Sequence, residues 1–175
     1  MFVIVCSLCK SKVFKYNFFL MAFPCKILFQ IEYRFAYSAV QNMFNAKPDL
    51  VLTIEKAVSV VQAGETIYIR GGTYNLTTTI TIAKSGADGS LISLFAIPGE
   101  LTVLDFSGQA LDRNNRGIKL TGSYWHIKGI HITGVGDNGM KIEGGSYNII
   151  ENCAFYRNRD SGLQTDDLTF RRLYQ

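Results

Sequence analysis

Lys119 and Lys141, and likewise Asp137 and Asp160, are pairs of like residues set one repeat apart along this chain. Two lysines stacked on neighbouring strands repel by about 1 kcal/mol in water and together attract an anionic polymer. Glu143 and Glu151 lie close enough in sequence to neutralise them. Two aspartates on strands about 4.8 Å apart can share one calcium ion, which prefers hard carboxylate oxygens. Each of them also stands two residues before a turn glycine, in Asp137-Asn-Gly139 and Asp160-Ser-Gly162, where aspartate commonly bonds its own backbone. Asn115 fills the same slot one unit earlier.

Other residues offer weaker chemistry. Trp125 is a candidate platform for a sugar ring. His126 and His131 are five residues apart and face opposite sides of an ideal strand, so they cannot hold one ion together. Asp166-Asp167 pairs two carboxylates as a calcium site wants, but beyond the repeat, where a solvated terminus is the stronger reading. Cys6-Ser-Leu-Cys9 has the spacing of half a metal site, but Cys25 and Cys153 are isolated and complete nothing. No metal ligands are assigned, and the candidate substrate contacts are Lys119, Lys141 and Trp125.

The element that must carry these residues is a repeat. Residues 123–141 laid over 146–164 match at five of nineteen positions: Ser123, Tyr124, Ile127, Asp137 and Gly139. The apolar positions agree more widely, with Ile127 over Ile150, Ile130 over Cys153, Ile132 over Phe155 and Met140 over Leu163. One unit earlier, Gly117 to Gly122 lies over Gly139 to Gly144 at an offset of 22, and the added Gly145 lengthens the next offset to 23. Apolar residues alternate within each unit, as in Ile118 and Leu120 around Lys119, which is a strand with one buried face. Three short strands per unit, each above its equivalent, make an all-β parallel β-helix, here a solenoid of about four coils. Leucine-rich repeats share the period but need regularly spaced leucines and an asparagine at fixed offset, which these units lack.

Earlier segments supply the start of the solenoid. Ile54, Ala57, Val58 and Val61 follow helical spacing between Thr53, a helix-starting residue, and Gly64, a stop, which predicts a short capping helix. Its role would be to shield the first coil's apolar column and strand edges. Thr66 to Arg70, Thr79 to Ile82, Ile92 to Ile97 and Thr102 to Phe106 read as strands, with turns at Gly71-Gly72 and Pro98-Gly99.

Composition divides the chain at about the same place. The net charge of +4 arises wholly in residues 1–50, with six Lys or Arg and two Asp or Glu, against twelve of each in 51–175. The repeat region therefore has no field to recruit nucleic acid. All sixteen glycines follow position 63, whereas eight of the twelve phenylalanines precede position 45. Lys10, Lys12, Lys15, Lys26 and Arg34 interrupt every apolar run of the first segment, leaving none of the roughly 18 residues a membrane span needs. Basic residues before Phe18 to Phe23 and a small-residue site at Ala36-Tyr-Ser38 outline a degenerate signal peptide. The expected organisation is a poorly ordered leader over 1–49, a capping helix over 50–64, coils over 65–164 and a tail over 165–175.

Five stretches then carry a resemblance: Glu65-Thr-Ile-Tyr-Ile-Arg-Gly-Gly-Thr-Tyr74, Val103-Leu-Asp-Phe-Ser-Gly108, Tyr124-Trp-His-Ile-Lys-Gly-Ile130, Gly136-Asp-Asn-Gly139 and Asn158-Arg-Asp-Ser-Gly-Leu-Gln164. In this order they resemble the N-terminal half of secreted bacterial pectate lyases of polysaccharide lyase family 9, over about residues 50–164. The resemblance implies a right-handed parallel β-helix, an extracellular or cell-envelope location, and β-elimination of polygalacturonate. It also implies calcium, held by aspartates, to neutralise the uronate carboxylate, and a lysine that is neutral when it takes the C5 proton.

In that family the calcium aspartates and the lysine belong to coils after the one matching Asn158 to Gln164, so the resemblance transfers no catalytic residue and no assignable calcium site. The expectation is a fragment of a pectate lyase-like protein with its catalytic coils missing, whose open last coil would favour self-association. The alternatives are a non-catalytic β-helical carbohydrate-binding or structural module, and a complete lyase using Asp137, Asp160 or Asp166 in an unconventional way.

Overall fold

The computed structural model describes residues 53–166 and the backbone of residues 3–6. One helix, α1 (Ile54–Val60), precedes a run of short strands. After β1 (Val3–Cys6) these are β2 (Thr66–Ile69), β3 (Gly72–Asn75) and β4 (Ile80–Ile82) in the first coil, and β5 (Ile92–Ala96), β6 (Thr102–Asp105) and β7 (Arg116–Leu120) in the second. The third coil holds β8 (Trp125–Lys128), β9 (Ile130–Thr133) and β10 (Asn138–Ile142), and the fourth β11 (Ile149–Glu151), β12 (Ala154–Tyr156) and β13 (Leu163–Thr165).

Each strand lies on its equivalent one coil earlier, giving three sheets in the orders β1-β2-β5-β8-β11, β3-β6-β9-β12 and β4-β7-β10-β13. Every pairing among β2 to β13 is parallel, so the architecture is a parallel β-helix of four coils. The register follows the sequence repeat: Ile127 pairs with Ile150, Ile132 with Phe155, Ile118 with Met140, and Met140 with Leu163.

The register holds because β2 to β11 each bury one face, and a slip of one residue would turn the apolar set outward. Aliphatic columns result, such as Ile67-Leu94-Ile127-Ile150 and Ile80-Ile118-Met140-Leu163. Of these eight residues only Leu163 is more than 9% exposed. Burying a side chain of this kind contributes roughly 1.5–3 kcal/mol, so these columns dominate the fold's stability.

The capping helix has the predicted start: the Thr53 hydroxyl accepts from the Lys56 backbone N–H at 3.2 Å. It ends at Val60, earlier than Gly64, because Val61 leaves helical geometry to become fully buried. The helix packs against β4, β1 and β2, over the first coil.

Two expectations change. The stretch at Gly71-Gly72 is not only a turn, since Gly72–Asn75 forms β3 and places Tyr74 in the core; glycine and asparagine hide the strand from a propensity reading. Val3–Cys6, placed in a poorly ordered leader, forms β1 and runs antiparallel to β2. The rest of that leader, its signal-like stretch included, and the tail from residue 167 lie outside the described residues.

The corners of the third and fourth coils repeat as faithfully as the strands. Tyr124 and Tyr147, Gly129 and Asn152, and Gly134 and Arg157 are equivalent pairs, and all six have φ between 50° and 74°. At Gly134 a side chain is excluded, because a Cβ there would sit 2.8 Å from the Ser107 backbone nitrogen.

Candidate functional site

The outer face of the third sheet brings Thr81, Lys119, Lys141 and Gln164 into one row across four coils. The two lysines stack as the repeat predicts. Glu143 lies between them, with its carboxylate 2.6 Å from Lys119 Nζ and 3.7 Å from Lys141 Nζ, and Asp166 reaches Lys141 at 3.2 Å. The row is thus an alternation of charge, in which an incoming carboxylate must compete with Glu143.

On the first sheet, Tyr68, Phe95 and His126 form an edge-to-face ladder, with ring centroids 6.2 Å and then 4.8 Å apart. His126 Nε2 lies 2.8 Å from Glu151, whose other oxygen takes Lys128 Nζ at 2.7 Å. The Lys128 hydrogen bond, helped by His126 and opposed by burial, holds the Glu151 carboxyl below the usual carboxylate range. These contacts join the third coil to the fourth.

His131 does not lie on the opposite side of the same strand as His126. The chain turns at Gly129, with φ 74°, so the histidines occupy different sheets. His131 meets Tyr156 edge-to-face at 6.0 Å on the second sheet.

The turn leading from the second sheet to the third holds the paired aspartates. Asp160 N–H donates to the Asp137 carbonyl at 3.1 Å, so their backbones stack as expected. Their carboxylates do different things. Asp137 is buried, and its Oδ2 accepts from Arg116 Nη1 at 2.6 Å and Asn138 Nδ2 at 2.7 Å. Asp160 is exposed. A guanidinium against Asp137 repels a second cation, so this pair does not fit calcium. No group of three or more His, Cys, Asp or Glu able to hold a metal converges among the described residues.

Trp125 requires a correction, because it is fully buried and offers no face to a sugar. Its indole Nε1 donates to the Lys84 carbonyl at 2.7 Å, and its backbone N–H donates to Asn148 Oδ1 at 2.9 Å. The clue was present in the sequence: Trp125 alternates in phase with Ile127, which faces the core. Of the cysteines, Cys9 and Cys25 lie outside the described residues, and only backbone is described for Cys6. Burial pushes the thiol of Cys153 up in pKa.

One group escaped the sequence reading. Arg157 and Arg159 are exposed at the fourth coil's turn, after the exposed Tyr156, and form no ion pair among the described residues. The signal was their repeat position, filled one coil earlier by Gly134 and Gly136.

Residues 39–173 match the family model described as Pel9A-like, right handed beta helix region. The chain is similar to pectate lyase L of Paenibacillus polymyxa (strain SC2), with 49% identity over 113 residues, covering 63% of this chain and 25% of that protein. It is also similar to pectate lyase L of Dickeya dadantii (strain 3937), at 35% identity over 134 residues, covering 72% of this chain and 30% of that protein. Among solved structures, the crystal structure of pectate lyase Pel9A superimposes with a TM-score of 0.59 at 35% identity, over 66% of this chain and 30% of that one. The matches thus span 25% to 30% of these relatives' length.

Proposed function

Because the chain belongs to the family of Pel9A-like right-handed β-helix proteins, we propose that it is part of an extracellular or cell-envelope pectate lyase-type protein. In this reading its four coils serve as scaffold and polysaccharide-contacting surface. The observation that carries it is the 49% identity to a pectate lyase L over 113 residues. The partner is an acidic polysaccharide of the polygalacturonate class.

Lys119 and Lys141 contribute to that contact by exchanging Glu143 for a uronate carboxylate, which their stacked register permits. Calcium-assisted β-elimination belongs to the whole protein and is assigned to no residue described here, since Asp137 is held by Arg116 and Asp166 by Lys141. The same four coils acting as a non-catalytic binding or structural module is the second reading, and the same engaged carboxylates favour it. Self-association through the edges of β11, β12 and β13 accompanies either reading, and size exclusion checks it: elution as a monomer at all concentrations removes it.

The test is incubation of the full chain with polygalacturonate, with and without calcium. Retention of the polymer without ultraviolet absorbance from an unsaturated uronate is the expected result. Absence of retention overturns the proposal, and a calcium-dependent absorbance rise overturns its assignment of the chemistry elsewhere.

A further inference from the structure

We infer that Tyr156, Arg157 and Arg159 form a uronate-recognition patch on the fourth coil, with Tyr156 stacking on a sugar ring and the two guanidiniums taking carboxylates. This rests on the polygalacturonate reading above and names where the polymer is gripped.

The charged groups elsewhere on the coils are largely engaged. Arg70 is paired with Glu100, Arg116 with Asp137, Lys119 and Lys141 with Glu143, and Lys128 with Glu151. Arg113, Arg157 and Arg159 are exposed and have no such partner among the described residues; of the three, Arg157 and Arg159 share one turn with the exposed Tyr156, although the exposed Asp160 follows directly. A guanidinium presents a planar fork of N–H donors that matches a carboxylate bidentately, and an aromatic ring matches the apolar face of a pyranose. Together they suit a polymer carrying one carboxylate per ring.

The segment is held in place before any ligand arrives. Asn158, between the arginines, turns inward, and its Oδ1 accepts from the Val135 N–H at 3.2 Å. Arg159 N–H donates to the Val135 carbonyl and Asp160 N–H to the Asp137 carbonyl, both at 3.1 Å. With Asn158 anchored, its neighbours on both sides are presented to solvent. Tyr156 is 38% exposed, and His131 meets its ring edge-to-face. Preorganisation of this kind lowers the entropy lost on binding.

Arg157 also stands in a left-handed conformation, with φ 55°, at a corner where the preceding coil has glycine. Such a backbone disfavours any residue with a Cβ, so the arginine sits there at a local conformational cost. The turn leads directly into β13, whose Gln164 stacks on Lys141, so the patch and the end of the lysine row belong to consecutive segments of the fourth coil.

The experiment measures equilibrium retention of the full chain on polygalacturonate and on fully methyl-esterified polygalacturonate. Arg157→Gly suits the left-handed corner and keeps the fold, so its loss reports the guanidinium alone. Arg157→Gly and Arg159→Ala should each weaken binding to polygalacturonate about threefold to tenfold, with little effect on the esterified polymer. Tyr156→Ala should weaken both by about threefold while Tyr156→Phe weakens neither. Lys56→Ala removes the same charge from the exposed face of α1 and should leave both unchanged. If the unaltered chain is retained while the arginine variants match it, or Lys56→Ala weakens binding as much as they do, the patch is overturned and the polygalacturonate reading survives. If the unaltered chain is not retained, both fall.

Discussion

The indole of Trp125 in the third coil donates to the backbone carbonyl of Lys84, in the connection between the first and second coils, at 2.7 Å. The Lys84 ammonium in turn reaches the Val61 carbonyl at the end of the capping helix, at 3.0 Å. The tryptophan therefore couples the cap to the interior of the solenoid. Trp125→Phe keeps most of the buried surface but leaves the Lys84 carbonyl without its donor, and should destabilise by about 1–3 kcal/mol. Trp125→Ala adds a cavity and should lose about 3–5 kcal/mol. Denaturant midpoints check both.

Arg116 and Asp137 form the most enclosed ion pair among the described residues, with side chains 11% and 13% exposed. Arg116→Ala strands a carboxylate that keeps only Asn138 as a side-chain donor, and should destabilise by about 3 kcal/mol. Removing both charges in Arg116→Met with Asp137→Asn should be milder than Arg116→Ala alone. A double-mutant cycle in urea measures the coupling, and additive losses would contradict it.

Equivalent corners should respond oppositely to substitution. Gly134→Ala places a Cβ 2.8 Å from the Ser107 nitrogen at φ 70°, and should destabilise by more than about 1 kcal/mol. Arg157→Gly relieves a left-handed arginine at φ 55°, and should stabilise by a few tenths to about 1 kcal/mol. Thermal unfolding of the two variants checks the contrast.

Acid should loosen the join between the third and fourth coils. The Glu151 carboxyl is held below the ordinary glutamate value of 4.5, chiefly by Lys128. Its contribution to stability is therefore fully present above that value and is lost as pH falls through the lowered folded-state value. Glu151→Gln should lower stability modestly at neutral pH and flatten the acid limb in that window, so that the variant and the unaltered chain converge as pH falls. An unaltered acid limb would show that the contact does not contribute.

The last two coils were legible because alternation and period agree there: Ile127 lies over Ile150 and Met140 over Leu163 at one offset of 23. The first two were harder to read. Ile80 pairs with Ile118 across two long connections, and Tyr74 is buried in a strand opened by glycine. The lysine stack followed from register alone. Neutralisation by Glu143 followed as well, but the reach of Asp166 to Lys141 and the engagement of Glu151 by Lys128 and His126 instead did not, because the reach of side chains across coils depends on rotamers that spacing leaves undetermined. Trp125 was assigned by residue type when its phase with Ile127 already pointed inward, and the arginine turn was overlooked because its equivalents are glycines.

The antiparallel pairing of β1 with β2 gives the solenoid a polarity. A parallel ladder copies itself, since each coil offers the next the same strand direction and the same apolar column. A reversed strand breaks that copying rule, because a parallel coil laid beyond it would not meet the expected hydrogen-bond slant. Together with α1 over the first coil, it makes the amino-terminal face a stop. A coil inserted or duplicated between β2 and β13 finds parallel edges to copy on both sides, whereas the edge that β1 covers offers it a reversed one.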